Sequence, residues 1–139
     1  MVIVRGGRRA LAPTVAGLLA TSALLTGCSG AMASPATAAA DFEAALGGGD
    51  YGAACDLLTP EAVTQVESGS GQACPDALAM LGIPPGGEMA SVQAWGRAAI
   101  VELDGDTLFL ARTGESWAVR AAGCSPVPDG PYDCTVEGG

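Results

Sequence analysis

Helical periodicity in the stretch after Ser34, a change to strict alternation from Met89 onward, and closely spaced turn residues through that second stretch together predict an α+β domain. The expected architecture is N-terminal helices packed on a curved antiparallel sheet of about four strands. Each element can be justified in chain order.

Ser34-Pro35 opens the first helix: a capping hydroxyl is followed by a residue whose fixed φ suits the first helical position and whose missing N–H would be unpaired there anyway. Ala38, Phe42, Ala45 and Leu46 recur on one face, and Gly47-Gly48-Gly49 stops the run. Asp50 caps a second helix with Tyr51, Ala54, Cys55 and Leu58 facing inward, and Thr59-Pro60 starts a further turn through Val63 and Val66. Ser68 to Gly71 reads as a flexible loop. Cys74-Pro75-Asp76 opens another helix that buries Leu78 and Leu81 and ends at Gly82, with Pro84 and Pro85 barring continuation.

In the strand region, Asp104-Gly105 is a two-residue hairpin signal, read as a turn with positive φ at both positions, and it sets Val101 opposite Leu108 and Ala99 opposite Leu110. Gly96-Arg97 joins an earlier strand on which Val92 faces Val101. A turn at Thr113-Gly114 would set Arg112 opposite Glu115 and Leu110 opposite Trp117. One face then collects Val92, Ala99, Val101, Leu108, Leu110, Trp117 and Val119 for the helices to cover. Ile100, Glu102, Thr107, Phe109 and Arg120 fall on the other, solvated face, with Glu102 and Arg120 as an ion pair flanking Thr107. After Ala121 the prolines at 126, 128 and 131 predict a loop, restrained by a local disulfide.

The N-terminal stretch is of a different kind. Arg5, Arg8 and Arg9 precede an uncharged run from Ala10 to Leu25, the layout of a secretory signal. The run is short for the hydrocarbon core of a bilayer and is interrupted by Pro13, which argues against an uncleaved membrane helix. Leu25-Thr26-Gly27-Cys28 resembles the bacterial lipobox, which implies lipidation of the Cys28 thiol and cleavage before it. The boundaries that follow are residues 1–27 for the signal peptide, 28–34 for a small uncharged tether, and 35–139 for one domain. Removing 27 residues from 139 leaves 112, room for a single core.

All fifteen acidic residues follow Cys28, and the only cations after it are Arg97, Arg112 and Arg120, a net charge of −12. Such a surface repels nucleic-acid phosphates and anionic lipid heads, which excludes binding to either through charge.

Setting Cys28 aside leaves Cys55, Cys74, Cys124 and Cys134, an even set in an exported chain and so a pair of disulfides. Of the three possible pairings, Cys55 with Cys74 and Cys124 with Cys134 is favoured. Without histidine or a Cys-x-x-Cys pair no metal site is expected, and no cofactor. Asp104-Gly105-Asp106 is explained by its hairpin rather than by calcium.

Phe42-x-x-Ala45-Leu46, then Gly49-Asp50-Tyr51-x-x-Ala54-Cys55-x-Leu57-Leu58, and strands ending in Trp117-x-Val119 resemble the nuclear transport factor two-like (cystatin-like) superfamily. The likeness is closer still to small lipoproteins of unknown function from high-GC Gram-positive bacteria. It spans Asp41 to Ala121 and implies a cone of helices and curved sheet with a pocket at its open end, used in some members for catalysis and in others for binding.

Enzymes of that superfamily work with an Asp or His base and Tyr or protonated-carboxyl donors. Here there is no histidine; Asp50 reads as a helix cap, Asp41 and Asp56 as exposed helix residues, and Tyr132 as part of the terminal loop. Phe42, Tyr51, Trp95 and Trp117, with Met80 and Met89, are the candidates for lining a pocket, and Trp95, Phe109, Trp117 and Arg120 for contacting a partner. The expectation is a lipid-anchored, non-catalytic binding or accessory module on the outer face of the cell membrane, recognising an envelope protein or a small apolar ligand. The alternative is a pocket enzyme of isomerase or dehydratase type, which requires a buried carboxylate.

Overall fold

The computed structural model describes residues 33–139; the expected signal peptide, Cys28 and most of the expected tether lie outside the described residues. Four helices come first: α1 (Pro35–Gly48), α2 (Tyr51–Asp56), α3 (Pro60–Ser70) and α4 (Cys74–Leu81). Five strands follow: β1 (Met89–Trp95), β2 (Ala98–Leu103), β3 (Thr107–Thr113), β4 (Ser116–Ser125) and β5 (Asp133–Glu137). The strands pair in chain order as one antiparallel sheet that is curled but not closed. The class is α+β, with a fifth strand that the sequence reading lacked.

The helices start where short polar side chains satisfy free backbone donors. Ser34 accepts from the Thr37 N–H, Asp50 from Ala53 and Thr59 from Ala62, each three residues on. The expected flexible loop at Ser68 to Gly71 is instead the last turn of α3. Gly71, at φ 70°, ends the helix in the left-handed conformation open to glycine, with its N–H on the Glu67 carbonyl at 2.7 Å. The Glu67 side chain then accepts from the Cys74 N–H, so α3 leads directly into α4. The Cys55–Cys74 disulfide fastens α2 to the first residue of α4.

The core is filled from both layers. Phe42 and Leu78 come from the helices, and Val101, Leu108, Leu110, Val119 and Val136 from the sheet, all essentially inaccessible. The exposed edge of β4 is closed twice. Near its C-terminal end it pairs with β5, and at Val119 it pairs with the chain between α2 and α3, through Thr59 N–H to Val119 O at 2.9 Å and Val119 N–H to Leu57 O at 2.7 Å.

The first two hairpins have the expected registers, Val92 opposite Val101 and Val101 opposite Leu108. The reason given for the second was wrong, because neither Asp104 nor Gly105 has positive φ. In the third, Gly114 at φ 63° takes the first loop position, so Leu110 lies opposite Val119 and Arg112 opposite Trp117, two residues from the expected pairing. A slip of two preserves the faces, since side chains alternate with period two. Past this point Phe109 pairs with Ala121 while Leu110 pairs with Val119, leaving Arg120 as the extra residue of a β-bulge.

Other expectations are corrected at particular residues. Leu81 and Val92 are each 40% exposed rather than buried, Leu81 on the last turn of α4 and Val92 on edge strand β1. Thr107 is buried rather than solvated, since it follows the buried Asp106 into the sheet. Glu102 accepts from the Ser91 hydroxyl, and Arg120 Nε donates to the Gly138 carbonyl at 3.2 Å, so no Glu102–Arg120 pair forms. The tail beyond Ala121 is strand on both sides of its prolines, which are confined to the loop between Ser125 and Asp133. Cys124 and Cys134 are direct cross-strand partners, 4.0 Å apart at Cα and joined as a disulfide.

Candidate functional site

Titratable groups inside the fold are the first place to look for chemistry, and here the charge of Asp106, read from the sequence only as part of a hairpin, acts on Glu43, which the sequence reading did not single out. Asp106 closes the β2–β3 hairpin through its carbonyl, which accepts from the Leu103 N–H at 2.8 Å, and its side chain turns inward. Oδ1 accepts from the N–H groups of Thr107 and Cys124, both at 2.6 Å, and Oδ2 from that of Gly123 at 2.9 Å. Two successive donors of β4 reach one carboxylate because Gly123 adopts φ 65°, which turns the Gly123 and Cys124 N–H groups to the same side as a small anion nest.

Glu43 projects from α1 toward the same region. Its Oε2 accepts from the Gly86 N–H, and its Oε1 is buried with no hydrogen-bond partner among the described residues. Gly86 lies so close to the hairpin that a Cβ there would sit 2.6 Å from Leu103 Cδ1 and 2.9 Å from Asp106 Cβ, and its carbonyl accepts from the Gly105 N–H at 2.7 Å. Burial raises the Glu43 pKa above the ordinary carboxylate value, the Gly86 N–H works against this, and the charge of Asp106 raises it further.

Because the folded state holds the Glu43 proton more tightly than the unfolded chain, this residue's contribution to stability is fully present below its ordinary pKa. It falls as pH rises through the raised value. Glu43→Gln keeps an acceptor for Gly86 and cannot ionise, so it is expected to remove that pH-dependent part. Urea unfolding of both proteins between pH 4 and 7 checks this: the gap should widen toward pH 7 in favour of Glu43→Gln, and a gap independent of pH would refute it.

The candidate pocket residues do not share a site. Phe42 is fully buried in the core, Tyr51 and Trp117 are half-buried against it, and Trp95 is 54% exposed at the end of β1. Trp117 lines a hollow of about 450 Å³ together with Asp41, Asp56 and Leu57. Met80 lines a separate hollow on α3 and α4. Asp50 is a helix cap, and Asp41 and Asp56 are exposed. Neither Glu43 nor Asp106 lines these hollows or the one over β3, β4 and β5.

Another hollow, about 350 Å³, lies over strands β3, β4 and β5. The bulge at Arg120 and the disulfide-closed loop bring its wall together. Phe109 and Tyr132 meet edge to face with ring centroids 5.0 Å apart, and Arg120, Pro131 and Glu137 complete the rim. Phe109 and Arg120 were sequence candidates for partner contact. Glu137 and the role of Tyr132 were missed because β5 was read as loop. The alternation of Cys134 and Val136 was the one signal for that strand.

Among the described residues no group of three or more His, Cys, Asp or Glu side chains is placed to hold a metal ion, and no helix is long and apolar enough to cross a membrane. No family model, curated protein or solved structure matches the chain.

Proposed function

We propose that the chain is a lipoprotein, held to the outer face of the cell membrane through a lipid on Cys28, whose domain is a non-catalytic binding or accessory module of nuclear transport factor two-like shape. The observation that carries the non-catalytic part is the state of the interior carboxylates. Asp106 uses both oxygens on backbone N–H groups, and Glu43 is not among the residues lining the hollows described above, so neither interior carboxylate faces one of them. Helices lying against a curled antiparallel sheet are consistent with the cone expected from the resemblance, and two disulfides suit an oxidising compartment.

The anchor rests on the lipobox-like Leu25-Thr26-Gly27-Cys28. Intact mass of the membrane-extracted protein should show an acylated N-terminal Cys28, and Cys28→Ala should abolish both acylation and cleavage at that point. A soluble mature protein beginning at another residue would remove the proposal.

A second reading, the pocket enzyme, is favoured by one observation: the raised pKa of Glu43 and its unpartnered oxygen. The two readings separate in cells. Glu43→Gln should complement a deletion strain under the binding-module reading. Loss of complementation by a protein that is still folded and still exported would transfer the function to Glu43.

A further inference from the structure

We propose that the hollow over β3, β4 and β5 binds a small aromatic zwitterion, the chemical class of the free aromatic amino acids. The inference rests on the binding-module reading and names the ligand class of this hollow.

Three features converge. The first is the exposed rim of opposite charge: Arg120 and Glu137 line the same 350 Å³, yet no ion pair joins them. Among the described residues Arg120 spends only Nε, on the Gly138 carbonyl. Its two terminal nitrogens are left for a carboxylate, which a guanidinium grips with paired hydrogen bonds. The Glu137 side chain has no partner among the described residues, and its backbone N–H is held by the Gln65 side chain. It is an acceptor for an ammonium group.

The second feature is the aromatic wall. Phe109 and Tyr132 are held edge to face by elements that cannot drift apart, because the Cys124–Cys134 bond closes the loop that carries Tyr132. A third ring stacks on such a wall at little entropic cost. The third is the charge of the surroundings. A lone anion would meet Glu137 and a domain with fifteen carboxylates against three arginines, and a lone cation would meet Arg120. A ligand carrying both charges satisfies both residues, and the volume lies at the small end of ligand pockets, which run from roughly 300 to 1,000 Å³.

The test is an amide-resolved NMR titration of the full-length protein with L-phenylalanine and L-tryptophan, and separately with 3-phenylpropanoate, which lacks the amine, and phenethylamine, which lacks the carboxylate. The expected result is saturable shifts at Phe109, Arg120 and Tyr132 with at least one amino acid, and binding at least about tenfold weaker for either analogue. Arg120→Gln and Glu137→Gln replace exposed side chains and should keep the fold, with spectral changes confined to their neighbourhood, while weakening the amino acid by about tenfold each. Absence of saturable shifts with both amino acids overturns the proposal. So does an analogue that binds as tightly as the amino acid, or retention of full affinity in both variants. The analogue arm uses the wild-type protein alone and stands even if a variant misfolds. Failure here leaves the binding-module reading intact, since that reading is tested separately, by complementation with Glu43→Gln and by the mass of the membrane-extracted protein.

Discussion

Asp106→Ala is expected to lose about 3 to 5 kcal/mol of stability, a large fraction of the 5–15 kcal/mol typical of a small domain. Among the described residues the carboxylate accepts from the N–H groups of Thr107, Gly123 and Cys124, so truncation takes that partner from three donors at once. An orphaned buried donor costs roughly 1 to 3 kcal/mol, and the total stays below three times the maximum because water can reach the half-buried Gly123. Asp106→Asn should cost less. Its one carbonyl oxygen can still accept from Thr107 and Cys124, while its amide nitrogen meets the Gly123 N–H as donor against donor. Either substitution also removes the charge that helps raise the Glu43 pKa, so the pH-dependent part of stability assigned to Glu43 should shrink with it. Urea denaturation at pH 7 checks the order, wild type above Asn above Ala. An Asp106→Ala protein within about 1 kcal/mol of wild type would mean that the β4 donors find other partners, and the anion-nest account would fail.

What the sequence made legible follows from how local each signal is. Helix starts depend on one side chain reaching a backbone donor three residues ahead, and Ser34, Asp50 and Thr59 all do so. The register of the first two hairpins needs only a two-residue turn and alternating apolar residues, and it was read correctly even though the assumed φ at Asp104 and Gly105 was not. What stayed hidden is long-range. Nothing near Glu43 in sequence announces Gly86, forty-three residues away, and nothing near Asp106 announces Gly123 and Cys124. Asp106 was assigned to a turn, which it does close, but the turn explains its carbonyl and not its carboxylate. The fifth strand was lost because three prolines in a row of loop residues outweighed the short alternation that follows them, and with it went Glu137 and one wall of the candidate hollow.

Phe42→Ala is the second large effect, at about 3 to 5 kcal/mol. The residue was a candidate for a pocket wall, and the structure places it with no exposed surface in the middle of α1. Its neighbours on that face, Ala38, Ala39 and Ala45, are small, so Phe42 and Leu46 supply most of the bulk by which α1 fills the space over the sheet. Truncation therefore removes the transfer energy of a phenyl ring and leaves a cavity that the alanines cannot fill. A cavity bounded by Leu78, Val101, Leu108 and Leu110 type side chains would be apolar and would stay dry, so no water recovers the loss. Phe42→Leu keeps more of the volume and should cost roughly 1 to 2 kcal/mol. The comparison distinguishes core from pocket. A ring lining an open pocket could be removed with a small change in stability and a large change in what the protein binds. A core ring shows the reverse, and denaturation midpoints of the two variants, read beside the amino-acid titration at Tyr132, decide which description of Phe42 holds.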